Sequence, residues 1–278
     1  MSILRIVTLV EDNQKDPNLG SEHGVSFYIE TDKHKLLLDV GQTELFLLNS
    51  IKMGINLADV DTVVISHGHY DHGGGLEHLL TINNHAKIYI QKSAFAEIYS
   101  MRKNDEYTYI GLNKKINHSR FILLEGDFII DDELMIFNQI DEHNFYPSSN
   151  QTLYKKVDGK MIPDNFNHEQ NLLINYNHNF FLFAGCAHKG IVNIVNQAEK
   201  LIGDQKLSMV FGGFHLKSRY QEYEESEKNV IKIAKELNGK EIKKYYTGHC
   251  TGSKAFAIMK DILNEKLSSF YPGFWIVI

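Results

Sequence analysis

Four side chains that can bind metal ions stand within six consecutive residues. They belong to residues 66–72, which read SHGHYDH, and this run directly follows residues 63–65, an apolar VVI segment with the character of a buried strand. Four ligands in six residues cannot share one face of a strand or a helix, so they must come from a loop. Imidazole nitrogens and carboxylate oxygens suit zinc, iron, manganese or cobalt. The run therefore predicts a metal-binding loop, with His67 and His69 as one donor pair and Asp71 and His72 as a second pair for a different ion.

The simple alternative is a polar surface loop that happens to be rich in histidine. The chain has 14 histidines, and several of them lie among Lys and Asn in segments that look like turns, namely His34, His85, His118 and His178. Residues 67–72 differ, because they follow an apolar strand at once and are accompanied by glycines that allow a tight loop. We therefore favour metal binding for this run.

The elements that must hold the loop are short apolar runs that alternate with segments of helical spacing. Apolar and β-branched runs predict strands at Ile3–Leu9, Val25–Glu30, Lys35–Asp39, Thr62–Ser66, Lys87–Ile90, Phe121–Leu124, Glu133–Asn138, Leu172–Asn175, Phe180–Ala184, Ser208–Phe211, Lys244–Thr247 and Phe274–Ile278. Helical periodicity predicts helices at Glu44–Met53, Gly75–Leu80, Ser93–Tyr99, Ile191–Ile202, Tyr223–Leu237 and Ser253–Leu263. Asn177-His178-Asn179 predicts a hairpin turn.

These elements indicate an α/β (α+β) fold in which two mixed sheets pack together with helices outside. No linker rich in Gly, Pro or Ser interrupts the 278 residues, so we expect one domain over residues 1–278. Residues from about 101 to 150 are polar at their start and are expected to form an irregular insertion.

The composition excludes several classes of partner. The net charge is -6, so no basic surface for nucleic acid or a membrane is expected, and no apolar run reaches the ~18 residues that a membrane-spanning helix needs. The first residues lack the features of a signal peptide. With 2 cysteines there is no disulfide framework, and a reducing cytoplasm is expected. An anionic substrate stays possible, because a metal site carries positive charge of its own.

The run at residues 66–76 resembles the signature of the metallo-β-lactamase superfamily. Further segments are similar to one branch of it, the 7,8-dihydropterin-6-yl-methyl-4-(β-D-ribofuranosyl)aminobenzene 5′-phosphate synthase-like proteins, and they are Glu22–Ser26, Leu36–Gln42, His168–Leu172, Gly185–His188, Gly212–Leu216 and Gly248–Gly252. The resemblance covers nearly the whole chain except residues 101 to about 150. It implies a four-layer αββα sandwich, and it implies that Asp39 supports the histidine loop without binding the metal itself.

The resemblance also implies two metal ions and further ligands from late strand ends. His249 matches the last histidine ligand of the family. Cys186 stands where the family has a bridging Asp, which is a departure from the pattern, and His188 lies two residues later. We expect His188 to bind a metal, with Cys186 either a further ligand or a small buried thiol.

The remaining positions stay open between alternatives. His168 is the candidate for the third histidine of the first ion, with His143 as its competitor. His215 ends a Gly-Gly-Phe-His strand and could donate a proton to a leaving group, bind an anion or cap a neighbouring loop. Cys250 follows His249 directly, and we expect it near the metals, with both cysteines reduced.

The predicted activity is metal-dependent hydrolysis by a hydroxide that two divalent ions hold, with zinc first and manganese or iron as alternatives. Asp71 would orient this nucleophile. A small phosphate ester or phosphodiester is the favoured substrate, because the helix that starts near Gly190 could face an anionic group. The alternatives are a pyrophosphate-dependent phosphoribosyl-type transferase, a di-iron redox protein and a non-catalytic metal-binding module. The oligomeric state stays open.

Overall fold

The computed structural model describes residues 3–116 and 119–278, so His118 lies outside the described residues. Its helices are α1 (Leu45–Lys52), α2 (Tyr70–Gly73), α3 (Leu76–Ile82), α4 (Ile191–Ile202), α5 (Glu227–Asn238) and α6 (Ser253–Leu263). Its strands are β1 (Arg5–Val10), β2 (Ser26–Glu30), β3 (Lys35–Leu38), β4 (Thr62–Val64), β5 (Lys87–Gln91), β6 (Glu97–Met101), β7 (Tyr107–Tyr109), β8 (Phe121–Leu124), β9 (Phe128–Ile129), β10 (Leu134–Phe137), β11 (Leu153–Val157), β12 (Lys160–Pro163), β13 (Asn171–Tyr176), β14 (Asn179–Phe183), β15 (Lys206–Phe211), β16 (Lys244–Thr247), β17 (Leu267–Ser269) and β18 (Trp275–Val277).

The chain divides into two compact units. Unit 1 consists of the residues up to Ala96 together with Ile110–Glu125 and Phe270–Ile278, and unit 2 consists of Glu97–Tyr109 and Gly126–Ser269. The prediction of a single domain over residues 1–278 stays a prediction.

Unit 1 is built on a mixed sheet with the strand order β18-β1-β2-β3-β4-β5-β8. The strands from β18 to β3 pair antiparallel, and those from β3 to β8 pair parallel. Its central strands are almost entirely apolar because they are buried on both faces, as parallel strands covered by helices usually are. Side chains of these strands form a core with Phe46 of α1 and with Leu76 and Leu79 of α3.

Unit 2 contains a second mixed sheet with the order β17-β16-β15-β14-β13-β10-β9 and a four-stranded antiparallel sheet with the order β12-β11-β6-β7. The parallel strands here are β14 to β17. The predicted hairpin turn joins β13 to β14, and its residues Asn177 and His178 have φ of 50° and 59°. Buried residues of α4, α5 and α6 pack with this sheet into one core. The mixed sheets and their helices confirm the predicted α/β class.

One predicted element is wrong. Residues Ser93–Tyr99 were expected to be helical, but a short 3-10 turn at Lys92–Phe95 is followed by strand β6. In β6 every second residue is buried, with Ile98 and Ser100 on the covered face, and the strand pairs with β11. Helix α5 also begins at Glu227 and not at Tyr223, because the Ser226 side chain caps it by accepting the N–H of Asn229.

Within the described residues, no helix is both long and apolar enough to cross a membrane.

Candidate metal-binding clusters

The unit 1 cluster lies at the carboxyl ends of two neighbouring parallel strands. Asp39 follows β3, and the run from Ser66 to His72 begins two residues after β4. The register pairs Leu38 with Val64, and the N–H of Asp39 donates to the carbonyl of Val64 at 2.9 Å. This pairing brings Asp39 and Ser66 to the same edge of the sheet, as parallel strands require.

Asp39 anchors the loop through three hydrogen bonds. Its carboxylate accepts from the Ser66 N–H at 2.7 Å, from the Ser66 hydroxyl at 2.7 Å and from Nδ1 of His72 at 2.6 Å. The residue is fully buried and has φ of 58°, a left-handed backbone conformation that Asp tolerates better than most residues. Asp39 therefore lies in the supporting position that the family resemblance implies for it.

The three imidazoles of the loop lie against one another. Nε2 of His67 is 3.0 Å from Nδ1 of His69, and the His67 and His72 ring centroids are 4.1 Å apart. Two nitrogens that bind one tetrahedral zinc ion at 2.0–2.1 Å lie roughly 3.3 Å from each other. The His67–His69 spacing therefore fits a shared ion closely.

His72 has a defined orientation for metal binding. Because Nδ1 of His72 is hydrogen-bonded to Asp39, the other nitrogen, Nε2, is the atom that could bind a metal, and it lies 3.5 Å from the Asp71 carboxylate. The unit 1 donors thus comprise imidazole nitrogens and one carboxylate, a set that suits zinc, manganese or iron.

His23 is a further member of this cluster that the sequence did not single out for chemistry. Its Nδ1 lies 3.0 Å from the Asp12 carboxylate, and its Nε2 lies 3.5 Å from the Asp71 carboxylate. The loop comes this close because residue 24 is glycine: a Cβ there would lie 2.4 Å from the carbonyl oxygen of Asp71. The His23 side chain is 54% exposed, so it is the member of the cluster that solvent reaches most easily.

In unit 2, His188 is buried and held on three sides. Its Nδ1 lies 3.0 Å from the Asn150 side-chain oxygen, while the Asn150 amide donates to the His188 carbonyl at 2.7 Å. The His188 ring stacks on Phe166 with centroids 4.4 Å apart, and on its other contact it lies 4.0 Å from the His215 ring. Because Asn150 contacts Nδ1, Nε2 is the atom of His188 that could bind a metal, and Asp39 has the same effect on His72.

The loop of His188 is fixed by the buried carboxylate of Glu169. It accepts the N–H of His188 at 2.6 Å and the N–H of Lys189 at 2.9 Å. Burial raises the pKa of Glu169, although Lys189 and the two amides act in the opposite direction. The Glu169 carboxylate therefore already accepts the hydrogen bonds of the two backbone amides that precede α4.

The phosphate role expected for the start of α4 gets no support from this arrangement. Gly190, which precedes the helix with φ of 88°, packs so closely that a Cβ would lie 2.2 Å from the carbonyl oxygen of Phe145. The residues at the beginning of α4 are buried. The helix start is therefore covered within unit 2, and an anionic substrate has to be bound elsewhere.

The two competitors for the third histidine ligand differ in burial. His168 is buried, and its Nε2 lies 3.0 Å from the carboxylate of Asp164, a partner that the sequence analysis missed. His143 lies in an exposed loop. Of the two, only His168 has the buried position and the fixed ring that metal ligands usually have.

Cys186, His215 and Cys250 form a compact cluster in unit 2. Both cysteines are buried and are not disulfide-bonded, and the two sulfurs and a His215 ring nitrogen all lie within 4.8 Å of one another. Burial alone would raise the pKa of the Cys250 thiol, but Cys186 and the nearby imidazoles of His249 and His215 lower it well below its usual value.

The backbone around this cluster is strained. Ala187, His215 and His249 have φ of 59°, 50° and 49°, a left-handed conformation that non-glycine residues rarely adopt. Such strain is concentrated at functional sites, where the surrounding structure holds it. Each of the three residues follows the carboxyl end of a strand, as Asp39 does in unit 1.

Comparison with known proteins agrees with this arrangement. A family model described as the metallo-beta-lactamase superfamily matches residues 19–142. The chain is 29% identical over 288 aligned positions to 7,8-dihydropterin-6-methyl-4-(beta-D-ribofuranosyl)-aminobenzene-5'-phosphate synthase of Methanocaldococcus jannaschii, which covers 97% of this chain and 95% of that relative.

Solved structures show the same relationship. Tm1679, described as a metal-dependent hydrolase of the beta-lactamase superfamily, superposes with a TM-score of 0.82 at 26% identity over 98% of each chain. PqqB from Methylobacterium extorquens shares the fold alone, with a TM-score of 0.58 at 12% identity over 98% of this chain and 99% of that one. The chain therefore has the metallo-β-lactamase fold, and its residues 19–142 match the model of the metallo-beta-lactamase superfamily.

Proposed function

We propose that this protein is a metal-dependent hydrolase that cleaves a phosphate ester or phosphodiester of a small molecule. The observation that carries the proposal is the unit 1 cluster, in which a buried carboxylate orients the ring of His72 and the nitrogens of His67 and His69 lie 3.0 Å apart. A purely structural cluster has no need of several adjacent buried imidazoles, because burying polar rings costs free energy unless they are satisfied.

In unit 1, the proposed ligands are His67, His69, Asp71 and His72 of the strand-end loop. In unit 2, the proposed ligands are His168, His188 and His249, as the family resemblance implies. Bound divalent ions, with zinc first and manganese or iron as alternatives, would lower the pKa of water to about 7 and stabilise negative charge on the phosphoryl oxygens.

The side chains of this protein then have distinct tasks. Asp39 keeps the proton of His72 on Nδ1, so that Nε2 would be the atom that binds a metal. Asp71 would accept a hydrogen bond from the attacking water and orient it, and His23 would hold the Asp71 carboxylate in place from the solvent side. The role of His215 as a proton donor to the leaving group stays a prediction from the sequence.

A phosphorylated small molecule is supported by chemistry and by a relative. Metal ions that are held by imidazoles and carboxylates clamp the oxygens of a phosphoryl group during displacement. The synthase that is 29% identical to this chain carries a 5'-phosphate in the name of its product. Both points concern the substrate class and not one particular compound.

A second candidate function follows from the same relative. Because that relative is a synthase, the second candidate is a transfer reaction in which bound ions would hold the pyrophosphate of a sugar donor. The two functions differ in the acceptor: water in hydrolysis, and an amine or carbon nucleophile in transfer.

The test is a panel assay with metal-depleted protein to which zinc or manganese is added back. Hydrolysis predicts release of nitrophenol from nitrophenyl phosphate monoesters or diesters without any second substrate, and no release by the His69→Ala variant. Transfer predicts no such release, but consumption of a sugar pyrophosphate that depends on an added acceptor. Metal-independent turnover of either substrate would contradict the proposal.

A further inference from the structure

We propose that Cys186, His215 and Cys250 form a thiolate-rich metal site of their own within unit 2, with zinc as its natural occupant. The site differs in chemistry from the imidazole and carboxylate cluster of unit 1, and it goes beyond the proposed hydrolase function.

The first support is geometric. The two sulfurs and a His215 nitrogen lie within 4.8 Å of one another. Ligands of one tetrahedral zinc ion, bound at about 2.3 Å for sulfur and 2.0–2.1 Å for nitrogen, lie about 3.4–3.8 Å apart. Small side-chain rotations would therefore close the three donors around an ion.

The second support is the state of the His215 ring. Both of its nitrogens are shielded from solvent, and the hydrogen-bonding group that lies against the ring is the Cys250 thiol. A thiol is a weak hydrogen-bonding partner for a buried imidazole. Metal binding by one ring nitrogen would give the ring a stronger partner.

The third support is the way the fold assembles the cluster. The donors follow three neighbouring parallel strands, β14, β15 and β16. The last residues of β14 and β15, Phe183 and Phe211, pair with each other, and Phe211 pairs with Tyr246, the next-to-last residue of β16. The carboxyl ends of such strands meet at one edge of the sheet, where α/β proteins place their ligand sites.

Glycine makes room for the sulfur atoms at this edge. A Cβ at Gly213 would lie 2.4 Å from Sγ of Cys250, and the N–H of Gly213 donates to the carbonyl of Gly185 at 2.8 Å. The absence of a side chain at residue 213 therefore lets the β15 loop close on the two cysteines. An alanine there would displace the Cys250 sulfur.

The ligand chemistry selects the ion. Two thiolates and one imidazole favour a soft or borderline ion such as zinc over magnesium or calcium. Binding balances as Zn²⁺ plus two thiols giving a neutral zinc dithiolate and two protons, and the neutral product suits the buried position. Under this assignment Cys186 is not a ligand of the ions in the histidine loop, and His215 is a ligand and not a proton donor.

Cobalt substitution of the whole chain tests the site, because thiolate ligands give bound Co²⁺ a near-ultraviolet charge-transfer band that imidazole and carboxylate ligands do not. We expect this band in the wild type and its loss in both Cys186→Ser and Cys250→Ser, each with the loss of one equivalent of bound metal. The His69→Ala variant should keep the band.

His215→Asn supplies a second variant that leaves both thiols intact, and His178→Asn is its matched control. The two histidines share a left-handed backbone, with φ of 50° and 59°, which asparagine tolerates. We expect His215→Asn to weaken cobalt binding at the thiolate band by tenfold or more and His178→Asn to leave it unchanged.

Three outcomes would overturn the proposal. They are a wild-type cobalt protein without the band, a band that survives in Cys250→Ser, and a band that disappears in His69→Ala. The last two would show that the band does not come from a site formed by Cys186, His215 and Cys250. The cobalt band is measured without any substrate, so the result does not depend on whether the wild type is a hydrolase. Failure of the thiolate site and failure of the hydrolase proposal are therefore distinguishable.

Discussion

The two units carry donor clusters that are assembled in opposite ways. In unit 1 the metal donors come from one loop of six residues and are supported by Asp39 from the adjacent strand end. In unit 2 the donors come from separate segments of the chain. His168 lies in the segment before β13, and Cys186, His215 and His249 lie in the segments that follow β14, β15 and β16. The unit 1 cluster can be recognised in the sequence because its donors are contiguous. The unit 2 cluster cannot, because its donors come together only when the sheet has formed.

The support residues follow the same division. Asp39 of unit 1 could be assigned through the family resemblance, because it stands in an Asp-x-Gly strand end. In unit 2 the sequence did not indicate that Asn150 holds the His188 ring, that Asp164 holds the His168 ring or that Glu169 fixes the loop. These partners are brought together by strand pairing, and none has a spacing that would reveal it.

The largest effect is expected for the contiguous cluster. His69→Ala should remove at least one equivalent of metal and lower activity by more than about 100-fold, the upper end of what loss of a supporting residue costs. The fold should persist, because the loop lies at the strand ends and not in the core. Metal analysis with circular dichroism measures both, and unchanged metal content would contradict the assignment.

In the unit 2 cluster, we expect each single substitution to weaken the binding of a different ion. We expect His188→Ala to weaken one metal and His168→Ala another, with little of either retained in the double variant. The physical reason is that the two rings are held by different partners, Asn150 and Asp164.

Metal titrations of both single variants and the double variant measure this. If His188→Ala binds every ion with wild-type affinity, the loop after β14 is not a ligand loop. His143→Gln, in an exposed loop of the same unit, serves as the control and should bind metal normally.

The same contrast explains what the sequence could and could not predict of the fold. Helices α4 and α6 were predicted with their observed bounds, because their apolar residues recur at helical spacing and a glycine ends the first. Strand β6 was mistaken for a helix, since its partner β11 lies more than fifty positions later and its alternating burial appears only in the paired sheet.

The β11–β12 hairpin was missed for a different reason. Its turn, Asp158-Gly159, has φ of 49° and 78°, and Asp-Gly between two short strands is a strong hairpin signal. The signal was present in the sequence, but the flanking residues are largely exposed and the lysines among them do not alternate with apolar residues, so no strand pattern marked them. The close approach of Gly24 to the carbonyl of Asp71 could not be inferred from the sequence.

A smaller effect is expected at the support of the contiguous cluster. Asp39→Asn should lower metal affinity by about 10–100-fold, as is usual for a residue that orients a metal-binding histidine. The amide would place a donor where the carboxylate now accepts from Ser66 and His72. Zinc titration measures the change. Unaltered affinity would show that the loop orients itself, and the contrast with unit 2 would lose its basis.

The smallest effect is expected for Asp61→Asn, which is the matched control for Asp39→Asn. Asp61 joins the same two strands, β3 and β4, at their opposite end, where its carboxylate accepts from the Lys35 N–H and the Thr62 hydroxyl at 2.7 Å each and lies 2.9 Å from Nδ1 of His34. Metal content and activity should not change, because Asp61 touches no proposed ligand.

The stability effect of Asp61→Asn should depend on pH with a definite sign. Burial by itself raises the pKa of Asp61, but hydrogen bonds from His34, Thr62 and the Lys35 N–H lower it below its usual value. A carboxyl whose pKa is lowered on folding contributes stability above its unfolded pKa of about 3.9 and loses that contribution as the pH falls through the folded value. Because the side chain is 39% exposed, the free energy of unfolding should drop by less than about 1 kcal/mol at pH 7. Urea unfolding should show this difference at neutral pH and a smaller one in acid. A variant that loses metal instead would show that the whole strand pair, and not Asp39 alone, supports the cluster.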